Sequence, residues 1–333
     1  MVAGECRHAK PDQHSSAAIR IAHRGLREGL RLRPLDPATL DCLLALIDEG
    51  SFERAARRLS ITQSAVSQRL RALEDQLGQR VLVRERPLRL TAAGTVLLRH
   101  ARQMQAMHGD LARELGALSP PAGQVAIAVN ADSLATWVLP ALDPLVREGV
   151  SLELIVDDQD FTHEWLREGR VLGCVSSLSE PLHGCRASPL SVMHYVAAAS
   201  ADFIARELGG RADGVQAGNF ARLPFVVFNR KDGLQARWVE QAFGVREPRL
   251  IERCVPSSEA FLQAVSMGWG IGMLPLVQAH AALARGELVA LQPQVGIDVA
   301  LYWHRWHLGA DHPGSGAQLL DRIGAALAAG APP

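Results

Sequence analysis

Apolar positions follow a helical period from residue 35 onward. Leu40, Leu43 and Ile47 fall on one face of a helix, and Gly50 is expected to end it. Residues 51–59 favour a second, shorter helix directly afterwards, because a serine N-cap is followed by small apolar residues on one face. The pattern therefore predicts two consecutive helices with a tight connection.

A third helix is predicted at residues 63–77. Val66 and Leu70 belong to its apolar face, Thr62 is a suitable N-cap, and Gly78 ends it. Two short helices joined by a tight turn are typical of a helix-turn-helix. The second and third helices therefore form a candidate DNA-reading pair.

Alternating apolar residues follow the third helix. Residues 81–83 and 88–90 alternate around a charged turn that contains proline, which predicts a β-hairpin. Thr91 then begins a long helix that is expected to reach about residue 118. The cluster Ser-Pro-Pro-Ala-Gly at 119–123 interrupts it and marks the clearest domain boundary.

Short β-type runs alternate with helical stretches beyond this boundary. This rhythm favours an α/β body with parallel sheets, because parallel strands need helical crossovers between them. The predicted strands are residues 125–129, 152–156, 171–176, 225–228, 250–255 and 270–273, and the predicted helices follow residue 133 or lie near 164–168, 234–243 and 257–267.

The charge of the chain is unevenly distributed although the net charge is zero. Residues 1–119 carry 19 Lys and Arg against 13 Asp and Glu, whereas residues 120–333 carry 16 against 22. A basic head on an acidic body is typical of a polyanion-binding module joined to a sensing module. A solvated basic face is the alternative that charge alone leaves open.

The third helix has a polar face opposite its apolar one. Small serines permit close approach to a major groove, Gln68 suits adenine, and Arg71 suits guanine or a phosphate. Flanking arginines suit phosphates, which position a protein without reading sequence. A helical pair that serves only packing is the alternative. The predicted DNA-binding residues are Arg54, Thr62, Gln63, Ser64, Ser67, Gln68, Arg71, Arg84 and Arg86.

These segments resemble the head of the LysR-type regulators. The resemblance is carried by FERAA at 52–56 and LSITQSAVSQRL at 59–70. The Leu-Gly pair at 77–78, the Leu-Val-Arg triplet at 82–84 and the Leu-Thr pair at 90–91 add to it. In the body, NADSLATWVLP at 130–140, SSEAF at 257–261 and LYWHR at 301–305 are similar to the ArgP/LysG branch, which senses lysine, arginine or both and activates basic amino acid exporters.

The resemblance implies a domain organisation. The fold class is α/β with an all-α N-terminal head: a winged helix-turn-helix, a long linker helix that pairs two subunits, and two Rossmann-like subdomains of periplasmic-binding-protein type. The expected boundaries are a disordered extension at 1–34, the DNA-binding domain at 35–92, the linker at 93–119, and the effector-binding domain at 120–333. Within the last, subdomain I covers about 124–195 and 297–330, and subdomain II covers about 196–296.

Polar residues follow several predicted strands of the body. Ligands of open α/β sheets bind beyond the carboxyl ends of the strands, and a helix start there suits a carboxylate. A basic amino acid also needs one or two carboxylates for its cationic end. Simple helix capping is the alternative for each residue taken singly. The predicted effector-binding residues are Asn130, Asp132, Ser133, Leu134, Asp158, Gln159, Ser176, Asn229 and Asp232.

Other classes of function find little support in the sequence. No hydrolase, zinc-protease or P-loop pattern occurs, so neither an enzyme, a cofactor nor a metal site is expected, and the His304 and His307 pair is interpreted as structural. Five scattered cysteines favour reduced thiols, with a redox pair at Cys174 and Cys185 as the alternative. No apolar run suggests a membrane span or a signal peptide, so a cytoplasmic protein is expected.

The sequence thus predicts a DNA-binding regulator that senses lysine or arginine and controls a basic amino acid exporter gene. Its expected partners are double-stranded promoter DNA, RNA polymerase and further copies of itself, as a homodimer or homotetramer, and not a membrane. The alternatives are a LysR-type regulator with a different ligand and an effector-independent nucleoid or replication-origin binder. A solute-binding receptor is disfavoured by the basic head.

Overall fold

The computed structural model describes residues 34–83, 88–114, 125–307 and 316–332. The predicted extension at 1–34, apart from its last residue, and the predicted phosphate contacts Arg84 and Arg86 lie outside these ranges. The chain forms two compact units, with the division between Gly94 and Thr95. Each unit is described by itself.

Three helices build the first unit: α1 (Pro37–Glu49), α2 (Phe52–Arg58) and α3 (Gln63–Leu77). Side-chain caps fix all three starts: Asp36 Oδ1 accepts the Ala38 N–H at 3.4 Å, Ser51 Oγ the Arg54 N–H at 3.1 Å, and Thr62 Oγ1 the Ala65 N–H at 3.1 Å. Gly50 and Gly78 end α1 and α3 in the left-handed conformation, as the sequence predicts. Val66 and Leu70 of α3 are fully buried.

A sharp turn connects α2 to α3. Ser60 adopts a φ of 55°, which is uncommon for a residue with a Cβ atom, and the Ile61 N–H reaches back to the Ala56 carbonyl at 3.0 Å. The connection consists of residues 59–62 alone, so the two helices have the short connection that a helix-turn-helix requires.

The predicted hairpin is present as β1 (Leu82–Val83) paired antiparallel with β2 (Arg89–Leu90). The buried Glu74 side chain ties α3 to this hairpin, because its Oε1 accepts the Val81 N–H at 2.9 Å. Helix α4 (Ala92–Glu114) follows directly. Gly94 lies so close to the Val81 carbonyl that a Cβ atom there would overlap it, so a glycine is needed where α4 crosses the hairpin.

The second unit alternates strands and helices from residue 125 onward. Its first part holds β3 (Val125–Asn130), then α5 (Ala131–Ser133), a π-helical stretch (Leu134–Val138) and α6 (Leu139–Arg147) without a break, then β4 (Leu152–Asp157), α7 (Thr162–Arg167), β5 (Gly173–Ser176) and the long β6 (Cys185–Ser200). Its remaining elements are α8 (Ala201–Leu208), a 3₁₀ turn (Phe220–Arg222), β7 (Pro224–Val227), α9 (Leu234–Phe243), β8 (Ile251–Cys254), α10 (Ser258–Ser266), β9 (Gly272–Pro275), α11 (Leu276–Ala284), β10 (Leu288–Ala290), β11 (Ile297–Trp306) and α12 (Gly316–Gly330).

The strand directions correct the prediction of parallel sheets. β3 pairs in parallel with both β4 and β5, and β7 pairs in parallel with β8, as predicted. The main sheet is nevertheless mixed, because β11 runs antiparallel to β5 and β6, and β9 and β10 run antiparallel to β6. The sequence pattern missed β6, the strand on which this mixture depends.

Strand β6 connects two groups of elements. Its first part pairs with β11 and its last residues pair with β9 and β10. We call residues 125–176, with β3 to β5, the first lobe, and residues 201–290, with β7 to β10, the second lobe. β6 and β11 pass between the lobes and form the only strand pairing that joins them in the part of the chain that the structure describes.

One large apolar core supports the second unit. Aromatic side chains fill much of it: Phe220 stacks on Phe243 at 6.2 Å between ring centroids, and Trp238 meets Phe243 edge-on at 5.6 Å. None of the helices in the described ranges has the length and apolar content to cross a membrane.

Cys174 and Cys185 are both free thiols. Strand β11 lies between β5, which holds Cys174, and β6, which begins at Cys185. Burial raises the pKa of the Cys185 thiol to about 11.

Candidate functional site

Helix α3 presents a polar face on the surface of the first unit. Gln63, Ser64, Gln68 and Arg71 are exposed, and Ser67 is half-buried beside them. At 3.6 residues per turn, residues 64, 67, 68 and 71 share the side opposite the buried leucines and valine. The hydroxyl of Thr62 has a structural task, since it caps α3 and lies 2.9 Å from Ser64 Oγ.

The arginines of α2 differ in how closely a carboxylate pairs with their guanidinium groups. Arg58 Nη1 lies 2.9 Å from Asp48 Oδ2, and Arg57 pairs more loosely with Glu53 at 3.6 Å. Arg54 Nη2 donates a hydrogen bond to the Glu49 backbone carbonyl, and no carboxylate among the described residues pairs with its guanidinium. Arg54 therefore offers a less compensated positive charge than Arg58 beside the polar face of α3.

A cleft lies at the carboxyl ends of β3 and β4 in the second unit. It lies between the two lobes, because residues of both line it. Four carboxylates and no lysine or arginine are found among the described residues of its lining. The lining consists of Ala131, Asp132, Asp157, Asp158, Gln159, Phe228, Asp232, Leu234, Phe261, Met273, Leu274, Pro275 and Gln278.

Asp132 connects the two lobes across this cleft. Its Oδ1 accepts a hydrogen bond from Ser258 Oγ of the second lobe at 2.7 Å, and its Oδ2 accepts one from Tyr195 Oη at 2.7 Å. Burial raises the pKa of the Asp132 carboxyl above its ordinary value, while the two hydrogen bonds act in the opposite direction. The charges of Asp232 and Glu259 add to the increase.

Asp158 is a buried carboxylate without a cationic partner among the described residues. Its Oδ1 accepts the Asp160 N–H at 3.0 Å. Burial raises the pKa of the Asp158 carboxyl to about 6, against the effect of that hydrogen bond, and the charges of Asp160, Asp232 and Asp157 raise it further. Such a group favours either a proton or a cationic ligand near neutral pH.

Asp232 belongs to the opposite side of the cleft and shapes its own loop. Its Oδ2 accepts the Phe228 N–H at 2.8 Å, and its Oδ1 accepts the Leu234 N–H at 3.1 Å. Asn229 has a similar role, because its Oδ1 accepts the Lys231 N–H at 2.6 Å. Asp232 lines the cleft and Asn229 does not.

Four further predicted residues lie beside the cleft and outside its lining. Asn130 and Ser133 are buried, and their side-chain polar atoms have no hydrogen-bond partner within the described ranges. Leu134 is half-buried at the start of the π-helical stretch. The Ser176 hydroxyl is used locally, since it donates to the Gln159 carbonyl at 3.1 Å. The structure thus brings Asp132, Asp158, Gln159 and Asp232 together.

Sequence reasoning missed three polar residues of this region. Tyr195 and Ser258 hold Asp132, and Gln278 lines the cleft and lies 3.3 Å from Ser258 Oγ through its Oε1. A serine pair at 257–258 was the available signal. Ser257 caps α10 by accepting the Ala260 N–H, and the second serine of the pair donates to Asp132.

Two family models match the chain and together cover most of it. The helix-turn-helix model of the bacterial regulatory proteins of the lysR family matches residues 38–95, and the LysR substrate binding domain matches residues 119–310. The second match alone spans more than half of the sequence. The chain belongs to the LysR family of bacterial regulators. The resemblance expected from the sequence, and the α/β fold with a helical DNA-binding head, are confirmed.

Relatives of this LysR-family protein carry names from the predicted branch. It is 43% identical over 279 residues to the HTH-type transcriptional regulator ArgP of Pseudomonas aeruginosa. The aligned region covers 83% of this chain and 91% of that protein. It is 41% identical over 278 residues to the HTH-type transcriptional regulator LysG of Mycobacterium tuberculosis, with 82% and 88% covered. The relatives are thus named as regulators of transcription.

Solved structures of the same branch share the fold. ArgP from Mycobacterium tuberculosis aligns with a TM-score of 0.76 and 39% identity, covering 90% of this chain and 97% of that one. Full-length LysG from Corynebacterium glutamicum, described with bound effector Arg, aligns with a TM-score of 0.67 and 36% identity, covering 90% and 100%. Solved structures of the ArgP/LysG type thus share the fold of this LysR-family regulator over nearly its whole length.

Proposed function

We propose that this LysR-family regulator senses L-arginine or L-lysine in the cleft between its lobes and controls a gene for basic amino acid export. It acts in the cytoplasm as a homodimer or homotetramer, through promoter DNA and RNA polymerase, and has no catalytic activity of its own. The single observation that carries the effector assignment is the cleft lining, with four carboxylates and no cation among the described residues.

The charge of the cleft favours a cationic ligand. Asp158 is buried, and the raised pKa of its carboxyl reflects the cost of placing a negative charge among other carboxylates. A guanidinium or ammonium group removes that cost and gains charge-assisted hydrogen bonds. The bound arginine reported for the LysG neighbour supports the same class of ligand.

Ligand entry requires the lobes to separate. The free space of the cleft is about 20 Å³, room for about one water molecule, and an amino acid needs several times more. The Asp132–Ser258 hydrogen bond must break or lengthen in this opening. Binding therefore shifts the population between two arrangements of the body, which is what an effector needs to regulate a separate DNA-binding head.

The polar face of α3 supports the DNA assignment. We propose that Gln63, Ser64, Ser67, Gln68 and Arg71, with Thr62 at the helix start, meet the major groove, with Arg54, Arg84 and Arg86 at phosphates. Gln68 and Arg71 are exposed and carry the donors and acceptors for base edges. Helix α4 serves as the linker that pairs two subunits in this proposal.

Calorimetric titration of the full-length chain tests the effector assignment. L-Arginine and L-lysine are the expected ligands, and L-citrulline is the matched control, because it replaces the guanidinium by a neutral group of nearly the same size. Arginine is expected to bind at least about tenfold more tightly than citrulline. The absence of heat with both basic amino acids would overturn the proposal, and equal affinity for citrulline would overturn recognition of the cation.

A footprint of the intergenic region beside the gene tests the DNA assignment. Protection is expected over a defined operator, with a pattern that changes when arginine or lysine is added. Titration at several salt concentrations separates phosphate contacts from base reading, because phosphate contacts dominate the salt dependence. A footprint without sequence preference and without response to either amino acid would favour an effector-independent nucleoid binder.

A further inference from the structure

Lysine is rare in this chain and one of its lysines lies at the rim of the cleft. The sequence contains 35 Lys and Arg, of which only Lys10 and Lys231 are lysines. Lys231 belongs to the loop between β7 and α9, one residue before the cleft-lining Asp232. Its backbone N–H donates to Asn229 Oδ1, and its side chain is exposed.

The ammonium group of Lys231 reaches across to the first lobe. Its Nζ lies 4.2 Å from the centroid of the Phe161 ring, within the range of a cation–π contact. Phe161 follows β4 and is anchored by its N–H, which donates to the Asp158 carbonyl at 2.9 Å. The contact therefore joins the two lobes at the rim, next to the acidic lining.

Phe161 has the surroundings of a cation-binding position. Its ring face attracts cations, and its chain neighbours Asp158 and Asp160 add negative charge on the same loop. Only one cation can occupy that ring face at a time. We infer that Lys231 is an internal competitor, whose ammonium occupies over Phe161 the position that the cationic end of the effector takes on binding. This inference rests on the proposed basic amino acid effector.

The competition has a defined consequence for affinity. A cation–π contact at an exposed position favours the docked lysine by a factor of roughly two to five. A ligand that must displace the docked lysine binds more weakly by a factor equal to one plus this preference, which is about three- to sixfold. Removing the ammonium therefore strengthens arginine binding, whereas a lysine that contacted the effector directly would weaken binding when removed.

Calorimetric titration of full-length variants with L-arginine tests this. Lys231→Met keeps the aliphatic stem and is expected to bind about three- to sixfold more tightly than the wild type. Arg230→Met removes the same charge from the neighbouring exposed position and is expected to change affinity by less than about twofold, since screened surface charges act weakly. Lys231→Arg keeps a cation and is expected to stay within about twofold of the wild type.

The outcomes separate the inference from the proposed function. If the wild type binds neither L-arginine nor L-lysine, the proposed effector assignment fails and the inference fails with it; if it binds L-lysine alone, the same variants are titrated with L-lysine. If the wild type binds arginine while Lys231→Met equals Arg230→Met, only the competition is overturned. Weaker binding by Lys231→Met also overturns it, because that result places the ammonium on the effector itself.

Amine acetylation gives a readout that does not depend on affinity. The wild-type chain is treated briefly with an acetylating N-hydroxysuccinimide ester, and acetylation of Lys231 and Lys10 is quantified by peptide mass spectrometry. Lys10 serves as the reference for reagent consumed by the added amino acid. Saturating L-arginine is expected to raise the Lys231 to Lys10 ratio about twofold or more, and L-citrulline at the same concentration is not. An unchanged ratio at arginine saturation overturns the displacement.

Discussion

Acidification is expected to weaken arginine binding through Asp158. This residue lies buried in the cleft, and burial raises the pKa of its carboxyl to about 6, against the hydrogen bond from the Asp160 N–H. The charges of Asp160, Asp232 and Asp157 contribute in the same direction as burial. Because arginine keeps its guanidinium charge at every pH used, the pH dependence between 5 and 8 reports on the protein.

The magnitude follows from the pKa. At a pKa of about 6, roughly one tenth of Asp158 is ionised at pH 5 and roughly nine tenths at pH 7. If the guanidinium pairs only with the carboxylate, affinity falls about tenfold from pH 7 to pH 5, or about 1.4 kcal/mol. Pairing with the guanidinium also lowers the pKa of the Asp158 carboxyl in the bound state, so arginine binding at pH 6 should release about half a proton.

Calorimetry of the full-length chain at pH 5, 6, 7 and 8 measures both quantities, with two buffers of different ionisation enthalpy to count protons. Asp158→Asn is expected to lose most of the slope, and any remainder belongs to Asp132, whose carboxyl pKa is also raised by burial. Asp202→Asn, an exposed change in α8, is the control that should keep the full slope. Affinity that is constant from pH 5 to 8, or a full slope in Asp158→Asn, would refute the reasoning.

Four further changes test other parts of the structure. Asp158→Asn should raise the midpoint of thermal unfolding at pH 7 without arginine. The reason is that the stability which comes from the raised pKa of the Asp158 carboxyl is present below about pH 4 and is lost as the pH rises through about 6. An unchanged midpoint would argue against a free-energy cost of the buried charge. Asp132→Ala should cost about 1–3 kcal/mol in denaturant unfolding by leaving the Tyr195 hydroxyl buried without its acceptor, and Asp132→Asn should cost less, so equal losses would speak against the bridge. Gly94→Ala should cost about 1–3 kcal/mol in the unfolding of the first unit through overlap with the hairpin, and a wild-type midpoint would contradict the close approach. Gln68→Ala should lower operator affinity by about 1–3 kcal/mol and relax selectivity at one base pair in gel-shift assays on a substituted operator series, whereas a uniform loss on every sequence would indicate a phosphate contact.

The helical head follows closely from local patterns in the sequence. Thr62 caps α3, Gly78 ends it, and Val66 and Leu70 are buried, as their spacing predicts. Each of these features depends on residues within one or two turns of each other. The tie from Glu74 to the hairpin is different, because a buried carboxylate that accepts backbone N–H groups has no periodic signature.

The cleft is predictable in part for a similar reason. Asp132 and Asp158 follow the ends of β3 and β4, and the carboxyl ends of parallel neighbours meet at one edge of a sheet. The rotation of each side chain is not predictable in this way. Successive helical residues turn by about 100°, so Asp132 reaches the cleft while Ser133 is buried beside it.

The contacts that close the cleft depend on long-range pairing and escape local patterns. Asp132 meets Ser258 across 126 positions of sequence, and Tyr195 reaches Asp132 from β6, whose antiparallel pairing with β9 and β11 no local alternation predicts. Residues that follow strand ends are therefore found from the sequence, whereas those that hold the lobes together are found only from the pairing of distant strands. In the proposed mechanism an effector breaks the Asp132–Ser258 hydrogen bond to enter, so this contact weakens the effector's apparent affinity and is not predictable from local sequence patterns.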